Sequence, residues 1–105
     1  MDENDLIVRS YELIKQDFNL EEDFDYTEDQ SFDRLHAWLA RIVNYLLEKD
    51  FARLMNALYR IDVPETKVKH ILTLSDPDNL ASALTTAIIE REKQKVVLRK
   101  KYSKG

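Results

Sequence analysis

Apolar residues near the start of the chain recur at intervals of four, three and four: Ile7, Tyr11, Ile14 and Phe18. This spacing places them on one face of a helix with about 3.6 residues per turn. It predicts a first helix from about residue 4 to residue 18. The residues that follow, 19–30, are acidic and show no apolar period, so they are predicted to form a loop.

A second apolar stripe continues to residue 61 almost without a change of phase: Phe32, Leu35, Leu39, Ile42, Leu46, Phe51, Leu54, Leu58 and Ile61. One long helix or two shorter helices both satisfy this pattern. Aspartate is a strong N-cap, and uncapped helices of that length are uncommon. Asp50 therefore favours two helices that meet at Lys49–Asp50. Ahead of the stripe, Thr27 and Gln30 have the spacing of a capping box.

Two segments that contain an aspartate followed closely by a proline predict further helix starts. In the first, Asp62 is the expected N-cap and Pro64 lies in the first turn, where its missing N–H is harmless. In the second, Ser75 or Asp76 is the expected cap and Pro77 the first helical residue. The inward-facing residues of the two helices are then Val68, Ile71 and Leu72, followed by Leu80, Leu84, Ala87 and Ile88.

The composition supports an entirely helical chain. Its 105 residues include two prolines, no cysteine and a single glycine, Gly105. Sheets and tight turns commonly use glycine for positive φ angles, and phosphate-binding loops also require it. We therefore expect an all-α protein, a single small irregular bundle of four to five helices over residues 1–105, without a cofactor. The acidic start and the lack of an apolar run of about 18 residues predict a cytoplasmic protein.

Charge is divided unevenly between the two ends of the chain. Residues 1–33 hold twelve acidic and two basic residues, residues 88–105 hold seven basic and two acidic ones, and the whole chain carries −4. Basic residues suit the last turn of a helix, and Glu90–Lys93 and Glu92–Lys95 have helical pair spacing. Part of the enrichment therefore requires no partner.

Val96, Val97 and Leu98 are nevertheless too apolar for a solvated helix end. We expect this segment to contact the first helix of the same chain, a second copy or another protein. The acidic flank of the first helix (Asp2, Glu3, Asp5 and Glu12) is the expected complement of the basic end. The first hypothesis is a non-catalytic interaction or regulatory module, working as a homodimer or with another protein. Its predicted partner-binding residues are Arg91, Lys95, Val97, Arg99, Lys100 and Lys101.

The alternative hypothesis is a nucleic-acid accessory protein that uses the basic end of the last helix, residues 96–105. Its predicted contacts are Lys93, Arg99, Lys100, Lys101 and Lys104. The net-acidic chain is unfavourable for nonspecific binding. Residues 53–72 have the order of elements of a helix-turn-helix, but this adds little support for DNA binding. Residues 62–72 have no net charge, and phosphate contacts supply much of the affinity for DNA.

An enzyme is the third hypothesis, and the sequence offers little for it. His36 and His70 are the only histidines and fall in different helices. The acidic loop fits a calcium-binding EF-hand poorly, since Glu28 stands where glycine is needed and Arg34 where a bidentate glutamate is needed. No metal site and no catalytic residue is predicted.

Two segments, "LYRIDVPETKV" and "IIEREKQKVVLRKKY", resemble a group of short all-helical bacterial proteins to which no activity is assigned. The resemblance covers about the last seventy residues and leaves out the acidic N-terminal third. It implies a helical fold and a bacterial cytoplasmic protein, and it implies nothing about chemistry.

Overall fold

The computed structural model describes residues 2–21 and 31–102. Within these ranges the chain forms five α-helices and no strand. They are α1 (Glu3–Phe18), α2 (Phe32–Lys49), α3 (Phe51–Ile61), α4 (Glu65–Leu74) and α5 (Pro77–Tyr102). The predicted all-α irregular bundle is confirmed.

Helix α1 begins one residue earlier than the sequence predicted. Asp2 is its N-cap and accepts a hydrogen bond from the backbone N–H of Asp5 at 2.8 Å. The predicted stripe is buried along the whole helix, from Ile7 to Phe18. The helix ends at Asn19, whose φ of 55° lies in the left-handed region.

Asp50 separates α2 from α3, as the sequence favoured. Its carboxylate accepts a hydrogen bond from the backbone N–H of Arg53 at 3.2 Å, while its own N–H still donates to Leu46 at the end of α2. The residue thus ends one helix and begins the next. At the start of α2 the N-cap is Ser31, whose hydroxyl accepts from the N–H of Arg34. The predicted capping box at Thr27 and Gln30 lies outside the described residues.

The prediction that Asp62 is an N-cap is wrong. Asp62 instead ends α3 with a left-handed φ of 67°, and the N–H of Val63 reaches back to the carbonyl of Leu58. This bond pattern is a Schellman ending, which usually uses glycine but accepts Asn or Asp. Because the chain has no internal glycine, Asp62 and Asn19 take this role for α3 and α1. Pro64 precedes the first residue of α4 and forms no side-chain cap.

Helix α5 begins at Pro77, as predicted, and continues for 26 residues. Its first half lies in the core, where Leu84, Ala87 and Ile88 are buried and Leu80 is partly buried. The shorter helix α4 buries Ile71, with Val68 and Leu72 packed against the same core. Ser75 ends α4 and Asp76 precedes Pro77.

The core lies where α1, α2 and α3 pack against α5. Its largest fully buried side chains include Phe18, Leu35, Leu39, Leu54 and Leu84.

Two arginines of α3 also hold the end of α1. Arg53 donates to the carbonyls of Phe18 and Asn19 at 3.0 and 3.1 Å, and Arg60 donates to the carbonyl of Asp17 at 3.3 Å. These bonds satisfy carbonyls that a helix end leaves without an intrahelical partner.

Among the described helices, none combines the length and the apolar character that spanning a membrane requires.

The double role of Asp50 generates a test. Asp50→Ala removes the acceptor for the Arg53 N–H, so we expect the free energy of unfolding in urea to fall by about 1 kcal/mol. Asp50→Asn is the matched control, because asparagine caps helices about as well as aspartate. Equal stability of the alanine and asparagine variants would contradict the capping role.

Candidate functional site

The second half of α5 carries all six predicted partner-binding residues. We call residues 90–102 distal α5. Its inner face contacts α1 and buries Glu92 and Val96, while its outer face carries Glu90, Gln94 and Val97 at the surface. The two faces have different chemistry.

Three ionisable side chains meet where the inner face contacts α1. Lys95 Nζ lies 3.0 Å from Oδ2 of Asp17, to which it donates a hydrogen bond, and 2.9 Å from Oε1 of Glu92. The Glu92 side chain is fully buried, and Lys95 and Asp17 are 15% and 16% exposed. We call these three residues the buried triad. It joins positions 78 residues apart in the chain.

Glu92 carries its proton at neutral pH. Desolvation by burial is the largest cause and raises its pKa from 4.5 to about 8, against the lowering effect of Lys95. The neighbouring carboxylate of Asp17 raises the pKa further. Neither carboxyl oxygen of Glu92 has a hydrogen bond of good geometry, so the contact with Lys95 is one of distance only. With Glu92 protonated and neutral, the charges of Lys95 and Asp17 cancel, and the buried triad has no net charge.

Distal α5 is also tied to the turn between α3 and α4. Arg91 donates through Nε to the carbonyl of Asp62 at 3.0 Å and pairs with its carboxylate at 3.2 Å. Glu90 pairs with Lys67 of α4 at 3.4 Å, with both side chains about half exposed. The Arg91 contact stabilises the Schellman ending of α3 and places distal α5 beside it.

The outer face of distal α5 forms a shallow apolar groove with Leu6 of α1. Val97 is 52% exposed and Leu98 is 43% exposed. Lys93, Gln94 and Glu90 complete the lining of the groove. Lys93 Nζ lies 4.2 Å from the ring centroid of Phe32, a cation–π distance that draws its aliphatic stem along the protein surface.

The last turn of distal α5 is basic. Arg99, Lys100 and Lys101 are all exposed, and within the described residues no carboxylate forms an ion pair with them. Lys101 lies 5.9 Å from the ring centroid of Tyr102, which is itself 73% exposed.

The residues that the sequence assigned to a partner surface fall into two groups. Arg91 and Lys95 bond within the chain, to Asp62 and to Asp17, rather than to the carboxylates proposed on the flank of α1. The others remain at the surface: Val97, Arg99, Lys100 and Lys101.

For the nucleic-acid alternative, Lys93 contacts Phe32, and Arg99, Lys100 and Lys101 are exposed. Lys104 lies outside the described residues.

Sequence reasoning missed the burial of Glu92. The spacing of Glu92 and Lys95 predicts a pair within one helix, and it does not predict that Glu92 is buried. The available signal was the position of Glu92, three residues after Ile89 and four before Val96, on the stripe that the structure buries. A carboxylate in the middle of such a stripe predicts an internal partner.

The two histidines lie apart. His36 Nε2 is 3.1 Å from the hydroxyl of Thr86 and 3.3 Å from the carbonyl of Ser82, which joins α2 to α5. His70 is exposed on α4. Across residues 2–21 and 31–102, no three His, Asp or Glu side chains come together in a way that could hold a metal ion.

Comparisons of the chain with protein-family models, with curated proteins and with solved structures found no match.

The raised pKa of Glu92 predicts a specific pH dependence of stability. The native state keeps a proton that the unfolded state loses above pH 4.5, so this residue makes the protein progressively less stable up to about pH 8. Glu92→Gln removes that titration. We expect the variant to gain about 4 kcal/mol over the wild type between these two pH values, measured by urea unfolding.

Glu90→Gln is the matched control, because it makes the same change on the exposed face two residues away. The difference between its free energy of unfolding and that of the wild type should vary little with pH. A Glu92→Gln difference that is just as flat would contradict the burial of the Glu92 carboxyl group.

Proposed function

We propose that this protein is a non-catalytic interaction module that assembles through distal α5, and that its partner is a second copy of the same chain. The observation that carries the proposal is the pair Val97 and Leu98. These apolar side chains are half exposed on a helix whose opposite face is anchored in the bundle.

The anchoring supports this proposal, since it distinguishes distal α5 from a frayed helix end. The buried triad attaches the inner face to α1, and Arg91 attaches the flank to Asp62. The outer face is therefore held in one arrangement before any partner arrives. A preorganised surface loses little conformational entropy on binding, and this favours association even through a small contact.

The charge distribution supports a second copy as the partner. The groove beside Val97 includes Leu6, which follows the acidic first turn of α1 at Asp2, Glu3 and Asp5. The same chain ends its last helix with Arg99, Lys100 and Lys101. One copy thus offers carboxylates beside an apolar groove, and another offers cations beside apolar side chains. Opposite charges of this kind speed and orient association, and salt screens them.

The test is the molar mass in solution, measured by light scattering behind a sizing column at low and at high salt. We expect a dimer that weakens at high salt. Val97→Ser/Leu98→Ser removes apolar area from the groove and should give a monomer at concentrations where the wild type is dimeric.

Tyr59→Ser/Leu74→Ser is the matched control. Both residues are more exposed than Val97, at 85% and 68%, but lie on α3 and α4. This variant should remain dimeric. A wild type that stays monomeric at high concentration and low salt would contradict the proposal, as would a dimer that the control disrupts and the groove variant does not.

A nucleic-acid accessory protein is the alternative proposal, and the exposure of Arg99, Lys100 and Lys101 favours it. The net charge of −4 and the contact of Lys93 with Phe32 favour the protein–protein proposal instead. In fluorescence anisotropy with labelled single-stranded and duplex oligonucleotides, we expect no binding at physiological salt.

Tight binding that falls steeply with salt would support the nucleic-acid alternative. In that case Arg99→Glu/Lys100→Glu should abolish it, while Lys49→Glu/Lys69→Glu, which changes the charge equally at exposed positions on α2 and α4, should not.

A further inference from the structure

We infer that two copies pair through distal α5 in antiparallel orientation about a two-fold axis, so that Glu90 of each copy meets Lys101 of the other. The inference rests on the proposed homodimer and specifies its geometry. It is carried by the order of residues along the outer face of the helix.

Four exposed residues form a straight stripe on this face, at intervals of four, three and four: Glu90, Gln94, Val97 and Lys101. This spacing aligns them on one side of a helix. The stripe has an acid at one end, a base at the other, and an amide and an apolar side chain between them. The charges of the stripe are therefore complementary to those of a second copy that runs in the opposite direction.

The axis passes midway between positions 95 and 96. In this register Glu90 lies opposite Lys101, and Gln94 lies opposite Val97. An isologous interface forms each of these contacts twice.

Parallel pairing of the two helices would bring like charges together. It places Glu90 against Glu90 and Lys101 against Lys101, which is repulsive at both ends of the stripe. Charge pattern of this kind selects helix orientation in coiled coils. The antiparallel arrangement is thus the one that the charges of the outer face favour.

Glu90 already has a partner, Lys67, at 3.4 Å. Both side chains are about half exposed, and pairs of this kind contribute little. Glu90 can therefore turn toward Lys101 of the second copy at small cost. The inner face is unaffected, since Lys95 and Arg91 keep their bonds to Asp17 and Asp62.

The contact is short, and this limits its strength. Distal α5 is about 20 Å long at the helical rise of 1.5 Å per residue. A helix pair of this length buries less area than a standard protein interface. We therefore expect a weak, salt-sensitive dimer rather than a permanent one.

Charge exchange tests the orientation. Glu90→Lys alone and Lys101→Glu alone each create two like-charge contacts and should weaken the dimer roughly tenfold in sedimentation equilibrium. The double variant Glu90→Lys/Lys101→Glu restores both contacts and should return to the affinity of the wild type. A mixture of the two single variants should form heterodimers in preference to either homodimer.

Cysteine cross-linking gives a second readout, because the chain contains no cysteine of its own. In a mixture of Glu90→Cys and Lys101→Cys, we expect a disulfide between the two variants under mild oxidation. Glu90→Cys alone should not cross-link, since antiparallel pairing separates the two copies of position 90 by about 16 Å, beyond disulfide reach.

The outcomes separate the inference from the proposed function. A wild-type dimer in which Glu90→Cys cross-links to itself, or in which the single charge variants bind as tightly as the wild type, overturns the antiparallel pairing and leaves the interaction module standing. A wild type that is monomeric in sedimentation equilibrium overturns both. Rescue by the double variant together with the mixed disulfide establishes the antiparallel pairing.

Discussion

The register of distal α5 along α1 depends on one buried contact, the ion pair of Lys95 with Asp17 beside the protonated Glu92. Charged groups buried in a protein interior lose hydration, and their mutual attraction offsets that loss only when the geometry is good. Here the proton on Glu92 leaves one cation and one anion, which lie 3.0 Å apart. A shift of α5 by one turn along α1 would move Lys95 away from Asp17 and break the ion pair. The triad therefore specifies the register of the two helices as well as their contact.

This register determines what distal α5 presents to solvent. With Glu92 and Val96 turned inward, Val97 and Leu98 must lie outward or at the flank. The polar contacts of the inner face thus explain why apolar side chains are exposed on the outer face. An interaction surface follows from the same helix that closes the bundle, and its rigidity comes from contacts that lie behind it.

Local signals were sufficient to predict much of the fold. The break at Asp50, the start at Pro77 and the buried stripe of α1 all follow from residues within a few positions of one another. Asp62 shows where a local signal misled. The same aspartate can begin a helix or end one, and the lack of internal glycine made it the left-handed ending of α3.

The candidate site was harder to predict because it depends on contacts between distant parts of the chain. Helical spacing identified Glu92 and Lys95 as a pair, but it could not identify Asp17 as the third member, 78 residues from Lys95. Arg91 similarly bonds to Asp62, which became available only when α3 ended there. The exposed remainder of distal α5 follows from these two contacts. This is why Arg91 and Lys95 could not be separated from Val97 and Arg99 by sequence alone.

The most direct test of the buried triad is an NMR titration of the Glu92 side-chain carboxyl carbon in the folded protein. We expect a midpoint near pH 8, because the carboxyl group is buried against α1. A midpoint near the ordinary value of 4.5 would contradict it. The Glu92 carboxyl group would then be solvated, and distal α5 would not be anchored by the buried triad.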